Sequence, residues 1–258
     1  MSLKLEERLI VAADFSPRKC GGISGVEHSV MELANELAGT GVYIKVNSVL
    51  RAVGYKLTTS LHDLGLKVVA DLKLIDIPAT MEIDGEMLAE VRPEIVTCMC
   101  NAGVDGLHRL QRTLPNTEVL GVTVLTSLNE EECQAIFTCS TKAGVLRFGR
   151  MAQLAGLSGL ILSPKEIEVV RNRFELSLSL NTPGIRPEWS LVEGDDQSRV
   201  LTPRQAIMNG AKRIVIGRPI TQAGSPKDAV KRTLEEIESG LTENRKKLQE
   251  SVSNLKFK

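Results

Sequence analysis

The stretch VADLKLIDIPAT, residues 69–80, places Asp71, Lys73 and Asp76 within six positions, just ahead of Pro78. It opens as a strand, and strands covered on both faces normally exclude charge. Asp71 and Lys73 stand two apart, so in extended chain they share one face, about 7 Å apart along it. Val69 shares that face, whereas Ala70, Leu72 and Leu74 fall on the other, where they can pack against helices. Lys45, in the preceding apolar run YIKVN, can reach the same spot and extend the series to Lys45, Asp71, Lys73, with Asp76 at its edge. Alternating charges of this kind keep every member ionised. Four ionised groups converging at one strand end favour a catalytic or binding role. A structural ion-pair network is the competing account. It is weakened because desolvating several charges is costly, and because the groups converge on a strand end.

Short Val- and Ile-rich runs alternate with stretches of helical period. Strands are predicted at 9–15, 43–47, 67–74, 95–101, 118–125, 159–163, 176–184 and 213–218. Between the first two, Val26, Val30, Leu33, Ala34 and Leu37 form one helical face, and Val230, Leu234, Ile237 and Leu241 repeat the pattern in the last helix. Gly39, Gly65 and Gly210 mark helix ends. Eight β-α units in 258 residues have the size of one (β/α)₈ TIM barrel, an α/β fold. A doubly wound open sheet is the rival, but no GxGxxG follows the first strand. No linker divides residues 1–258, and 241–258 form a polar extension expected to be a solvated helix or a frayed end.

In such a barrel the chemistry sits where strands end and the following loops begin. That rule adds Asp14 after the first strand and Thr126 after the fifth. After the eighth, IGRPI sets the Gly217 amide and the Arg218 guanidinium where barrels commonly hold phosphate. The segment from Gly184 to Leu201 is the longest without an evident element; it carries Arg186, Gln197, Arg199 and the lone Trp189. Its length and place suggest a lid that grips the phosphate.

Lys plus Arg equals Asp plus Glu at 32 each, which gives no footprint for nucleic acid or an anionic membrane. No apolar run is long enough to span a bilayer. The five cysteines (Cys20, Cys98, Cys100, Cys133, Cys139) contain no CxxC pair and are read as reduced thiols of a cytoplasmic protein. The histidines, His28, His62 and His108, lie in predicted helices without HExxH or HxH spacing, so no histidine metal site is expected.

DLKLIDIPAT resembles the DxKxxDIP signature of orotidine 5′-phosphate decarboxylases. The resemblance extends to AADF, IKV, VTVLTS, TPGIRP and IGRPITQA, and covers almost the whole chain; TPGIRP and IGRPI look bacterial in type. It implies conversion of orotidine 5′-phosphate to uridine 5′-phosphate and CO₂ in pyrimidine biosynthesis, without a metal or organic cofactor. It implies that Asp14 and Lys45 contact the ribose, that Asp71 faces the substrate carboxylate and that Lys73 delivers the proton. Thr126 would lie against the pyrimidine, and Arg186, Gln197, Gly217 and Arg218 would hold the phosphate. It also implies a homodimer with shared sites, in which Asp76 and Thr80 reach into the partner's site. Two features depart from the pattern: the inserted SPRKCGGISG, and acidic Glu188, Glu193, Asp195 and Asp196 around the phosphate-gripping loop. A Mg²⁺-dependent sugar-phosphate decarboxylase or synthase is the runner-up, but such relatives need a strand-two carboxylate where this chain has Lys45. A barrel that binds phosphate without catalysis would be expected to show a broken charge array, and none of its members is missing.

Overall fold

The computed structural model of the protein describes residues 3–173, 175–191 and 201–255. The strands are β1 (Leu9–Ala12), β2 (Tyr43–Val46), β3 (Lys67–Leu74), β4 (Ile95–Met99), β5 (Glu118–Val122), β6 (Gly159–Ile161), β7 (Ser179–Thr182) and β8 (Arg213–Ile216). They pair in parallel and in chain order, and β1 closes on β8. This is the expected TIM barrel. Most strands are shorter than the apolar runs that predict them, because the last residues of those runs leave the ladder to form the loops of the mouth.

Side chains alternate across each strand, and the alternation divides the core in two. Leu9, Val11, Val68, Ala70, Leu72 and Val96 face outward and pack against the helices. Ile10, Ala12, Tyr43, Val69, Ile95, Leu120 and Val215 form a separate cluster inside the barrel. The same parity carried two residues further along each strand gives Asp14 after Ala12, Lys45 after Tyr43, Asp71 after Val69, Thr97 after Ile95 and Gly217 after Val215. The site is therefore the polar continuation of the inner core.

Carried the other way, the parity reaches Arg213, Lys67 and Glu118. Arg213 is fully buried, donates to both carboxylate oxygens of Glu118 and to the Glu7 carbonyl, and lies 5.2 Å from the Tyr43 ring centre. Burial alone would push the Glu118 carboxyl up, but the Arg213 and Lys212 cations hold it below the usual range. These groups stop the end of the barrel opposite the charge array. Arg213→Met should destabilise the fold by about 3 kcal/mol, the low end for a broken buried pair, since Glu118 retains some solvent contact. Denaturant titration would show this; a loss below about 1 kcal/mol would contradict it.

The helix Ile23–Leu37 buries the predicted Val26, Val30, Leu33, Ala34 and Leu37. Gly39, Gly65 and Gly210 adopt φ of +76°, +74° and +109°, as helix-terminating glycines can. The last helix runs unbroken from Pro226 to Leu255. Its residues 241–244 are held against the barrel: Leu241 packs on the core, Glu243 pairs with Arg204 and Asn244 donates to the Ile207 carbonyl. Among the described residues, no helix is long and apolar enough to cross a membrane.

Candidate active site

The Lys45 ammonium lies 3.0 Å from both Asp14 oxygens and 3.1 Å from Asp71 Oδ2. Lys73 Nζ approaches the same Asp71 oxygen at 2.7 Å. Charge alternates along Asp14, Lys45, Asp71 and Lys73. Lys45 and Asp71 are buried, 8% and 7% exposed, while the Lys73 side chain keeps about a third of its surface open to the cavity. Burial pulls the Lys45 ammonium toward a lower pKa, but the Asp71 and Asp14 carboxylates outweigh it and hold it above the ordinary value. Burial likewise pushes Asp71 up, and the two lysines, with their hydrogen bonds and that of Thr97, bring it below the usual carboxylate range. Lys45 and Asp71 are thus ionised before any ligand arrives.

Sequence parity places Asp71 and Lys73 correctly on one face, but the backbone departs from a regular strand. The β3–β4 register shifts between Ala70 and Leu74. Lys73 itself takes φ 51°, in the left-handed region, which costs a non-glycine residue on the order of 1–2 kcal/mol. Thr97, which the sequence reading passed over, closes the other side of the carboxylate. Its hydroxyl donates to Asp71 Oδ1 at 2.8 Å and accepts the Lys73 N–H at 3.0 Å.

The array forms one wall of a cavity of about 440 Å³ that also exposes Arg186, Gly217 and Arg218. Its floor is apolar, from Ile10, Val69, Leu120, Ile161 and Val215. Among the described residues, neither the Arg186 nor the Arg218 guanidinium has a hydrogen-bond or ion-pair partner, so both can take an anion. Arg186 is held by its backbone, whose N–H donates to the Leu201 carbonyl at 3.0 Å, beside the Ile185–Leu201 bridge. The two ends of the long segment are thereby pinned together. Gln197 lies outside the described residues, as do Glu193, Asp195, Asp196 and Arg199.

Three expected residues stand elsewhere. Thr126 lines a neighbouring cavity of about 940 Å³, which shares Pro183 and Gly184 with the first. β5 has already ended at Val122, and the chain turns aside before Thr126. Asp76 does not edge the array of its own chain; Asp14 instead extends the array at its other end, beyond Lys45. After Leu74 the chain leaves the sheet for the helix Pro78–Val91, and exposed Asp76 accepts the N–H of Ile77 at 2.7 Å. Thr80, on that helix, is half-buried. Neither lines the cavity holding Lys73.

The fold and site define a (β/α)₈ barrel with a preformed ionic array facing two arginines, unpaired among the described residues, across one cavity. Residues 7–233 match the Orotidine 5′-phosphate decarboxylase / HUMPS family, and the chain belongs to that family. It is 37% identical over 246 residues to an orotidine 5′-phosphate decarboxylase of Syntrophus aciditrophicus, covering 92% of this chain and 95% of that one. A Pseudomonas fluorescens protein of the same name is 36% identical, over 89% of this chain and 97% of its own length. The crystal structure of orotidine 5′-phosphate decarboxylase from Lactobacillus acidophilus superposes with a TM-score of 0.73 at 25% identity, covering 90% of this chain and 99% of that one.

Proposed function

We propose that this chain decarboxylates orotidine 5′-phosphate to uridine 5′-phosphate and CO₂. The observation that carries the reading is the unbroken Asp14–Lys45–Asp71–Lys73 array opening on the cavity that Arg186 and Arg218 share. Asp71 faces the substrate carboxylate. Its like charge disfavours the bound acid, and the repulsion is relieved as CO₂ departs. Lys73 stabilises the carbanion left on the ring and then protonates it. Because both charges are fixed beforehand, little reorganisation is needed during the reaction. Asp14 and Lys45 contact the ribose. Gly217, Arg218, Arg186 and Gln197 bind the phosphate, far from the bond that breaks, and that binding energy offsets the unfavourable charge at the reacting end. Thr126 reaches the pyrimidine through the neighbouring cavity.

No metal or organic cofactor takes part. Lys45 occupies the strand-two position where a metal-using relative needs a carboxylate, and its ammonium sits 3.1 Å from Asp71, where it would repel a divalent cation. Purified protein mixed with orotidine 5′-phosphate should abolish the orotate-ring absorbance at the same rate with and without a chelator. A chelated enzyme revived by Mg²⁺ would favour the sugar-phosphate reading instead.

The enzyme works as a cytoplasmic homodimer with shared sites. Ile75, Ile77, Ile83 and Met87 are 52%, 66%, 51% and 56% exposed, an apolar strip on the segment that carries Asp76 and Thr80. Such a strip calls for a cover, and a second copy laid over it would bring Asp76 and Thr80 toward the partner's cavity.

Arg218→Ala should weaken use of orotidine 5′-phosphate by about 10²-fold in kcat/KM, the loss expected for one or two charge-assisted hydrogen bonds. The same change should barely alter the slow reaction of orotidine, which has no phosphate. Equal losses on both substrates would remove Arg218 from the phosphate site.

A further inference from the structure

The left-handed backbone at Lys73 needs something to hold it. The register shift between Ala70 and Leu74 interrupts the regular ladder around Lys73. Two side chains take up the carbonyl and the N–H of the Leu72–Lys73 peptide. Arg51, on the helix Ser48–Val53 that follows β2, donates to the Leu72 carbonyl. Thr97, on β4, accepts the Lys73 N–H at 3.0 Å. A hydroxyl has a single proton, and that of Thr97 is given to Asp71 Oδ1 at 2.8 Å. Thr97 is only 1% exposed and β-branched, so its hydroxyl has little freedom to turn away. Asp71 therefore has one oxygen on Thr97 and the other on the Lys45 and Lys73 ammonium groups, which fixes the plane of its carboxylate.

We propose that Thr97 and Arg51 are positioning residues, which together hold the left-handed turn of the chain that aims the Lys73 ammonium at Asp71 Oδ2. The inference rests on the reading above in that Lys73 is the proton donor. Neither residue supplies a proton or a charge to the reaction; together they hold the carbonyl and the N–H of the one peptide that precedes the Lys73 Cα. The two act on one conformation, from opposite sides and from different elements.

Thr97→Val keeps the shape and removes both hydrogen bonds, Thr97→Ser restores the hydroxyl, and Arg51→Met keeps the stem without the guanidinium. Misplacing a reacting group by about 1 Å can cost on the order of 10²-fold in rate. Thr97→Val should therefore lower kcat by about 10–100-fold with KM changed less than about threefold. Thr97→Ser should recover most of that loss, and Arg51→Met should cost about tenfold. The double variant Thr97→Val/Arg51→Met should fall short of the product of the two losses, because the second change acts on a conformation already released. Crystals of the double variant should show Lys73 out of positive φ, with its ammonium drawn away from Asp71. The proposal is overturned if Lys73 keeps positive φ there, if Thr97→Val retains kcat within about twofold, if serine fails to rescue it, or if the losses simply multiply. A wild-type enzyme inert toward orotidine 5′-phosphate would sink the decarboxylase reading, while the φ of Lys73 in the variant crystals would still decide the positioning role.

Discussion

Lys73→Ala should lower kcat by at least about 10⁴-fold, equivalent to about 5.5 kcal/mol of transition-state stabilisation. Two contributions vanish with one group. Proton delivery by a positioned side chain accounts for about 10²–10⁴-fold, and removal of one preorganised electrostatic contact typically costs about 10²–10³-fold. They overlap, since one ammonium serves both, so their full product is an upper bound. The fold should survive, because Asp71 keeps Lys45 at 3.1 Å and Thr97 at 2.8 Å. A melting temperature within a few degrees of wild type would show that the loss is chemical. A variant that keeps a tenth of the activity would remove Lys73 from the role of proton donor.

The second large effect concerns the residue that the fold directs away from its own site. Asp76 sits past the end of β3, exposed, on a segment flanked by Ile75 and Ile77. If it completes the partner's site, two inactive variants should repair each other. In a mixed dimer of Lys73→Ala and Asp76→Asn subunits, one site receives intact Lys73 from one chain and intact Asp76 from the other. The second site carries both lesions. Random exchange makes about half the dimers mixed, each with one good site of two, so about a quarter of wild-type activity should return. If both residues served one chain's site, every site would keep a lesion and nothing would return. Labelled subunits that exchange without recovery would refute the shared site.

Much of this was legible in the sequence because it follows from parity and period. The inward alternation of β1, β2 and β3 runs from core into site without interruption, so Asp14, Lys45 and Asp71 could be placed from their spacing. Thr97 stands two residues after inward Ile95, just as Asp71 stands two after Val69; the same rule would have found it had polar uncharged residues been counted as well as charged ones. The conformation of Lys73 could not be read in this way. Parity assumes a regular strand, whereas the register shift depends on how β3 pairs with β4, a contact distant in the chain. Spacing alone puts Asp76 at the edge of its own array, since it follows Lys73 by only three residues. The turn into Pro78 carries it to another surface, and the array is extended by Asp14 at the opposite, Lys45 end. Thr126 lines the neighbouring cavity for a similar reason, since its apolar run outlasts the strand. The apolar strip of Ile75, Ile77, Ile83 and Met87 is invisible to periodicity alone, which cannot distinguish a face buried in the core from one left for a second copy.

The fixed charges at the barrel mouth are expected to remove CO₂ from orotidine 5′-phosphate and replace it with a proton. The direct measurement is to run the reaction in D₂O and analyse the product by mass spectrometry and proton NMR. The Lys73 ammonium exchanges with solvent, so the account predicts uridine 5′-phosphate with a single deuterium at the ring carbon that had carried the carboxylate. Recovery of unchanged orotidine 5′-phosphate, or a product without deuterium at that carbon, would contradict it.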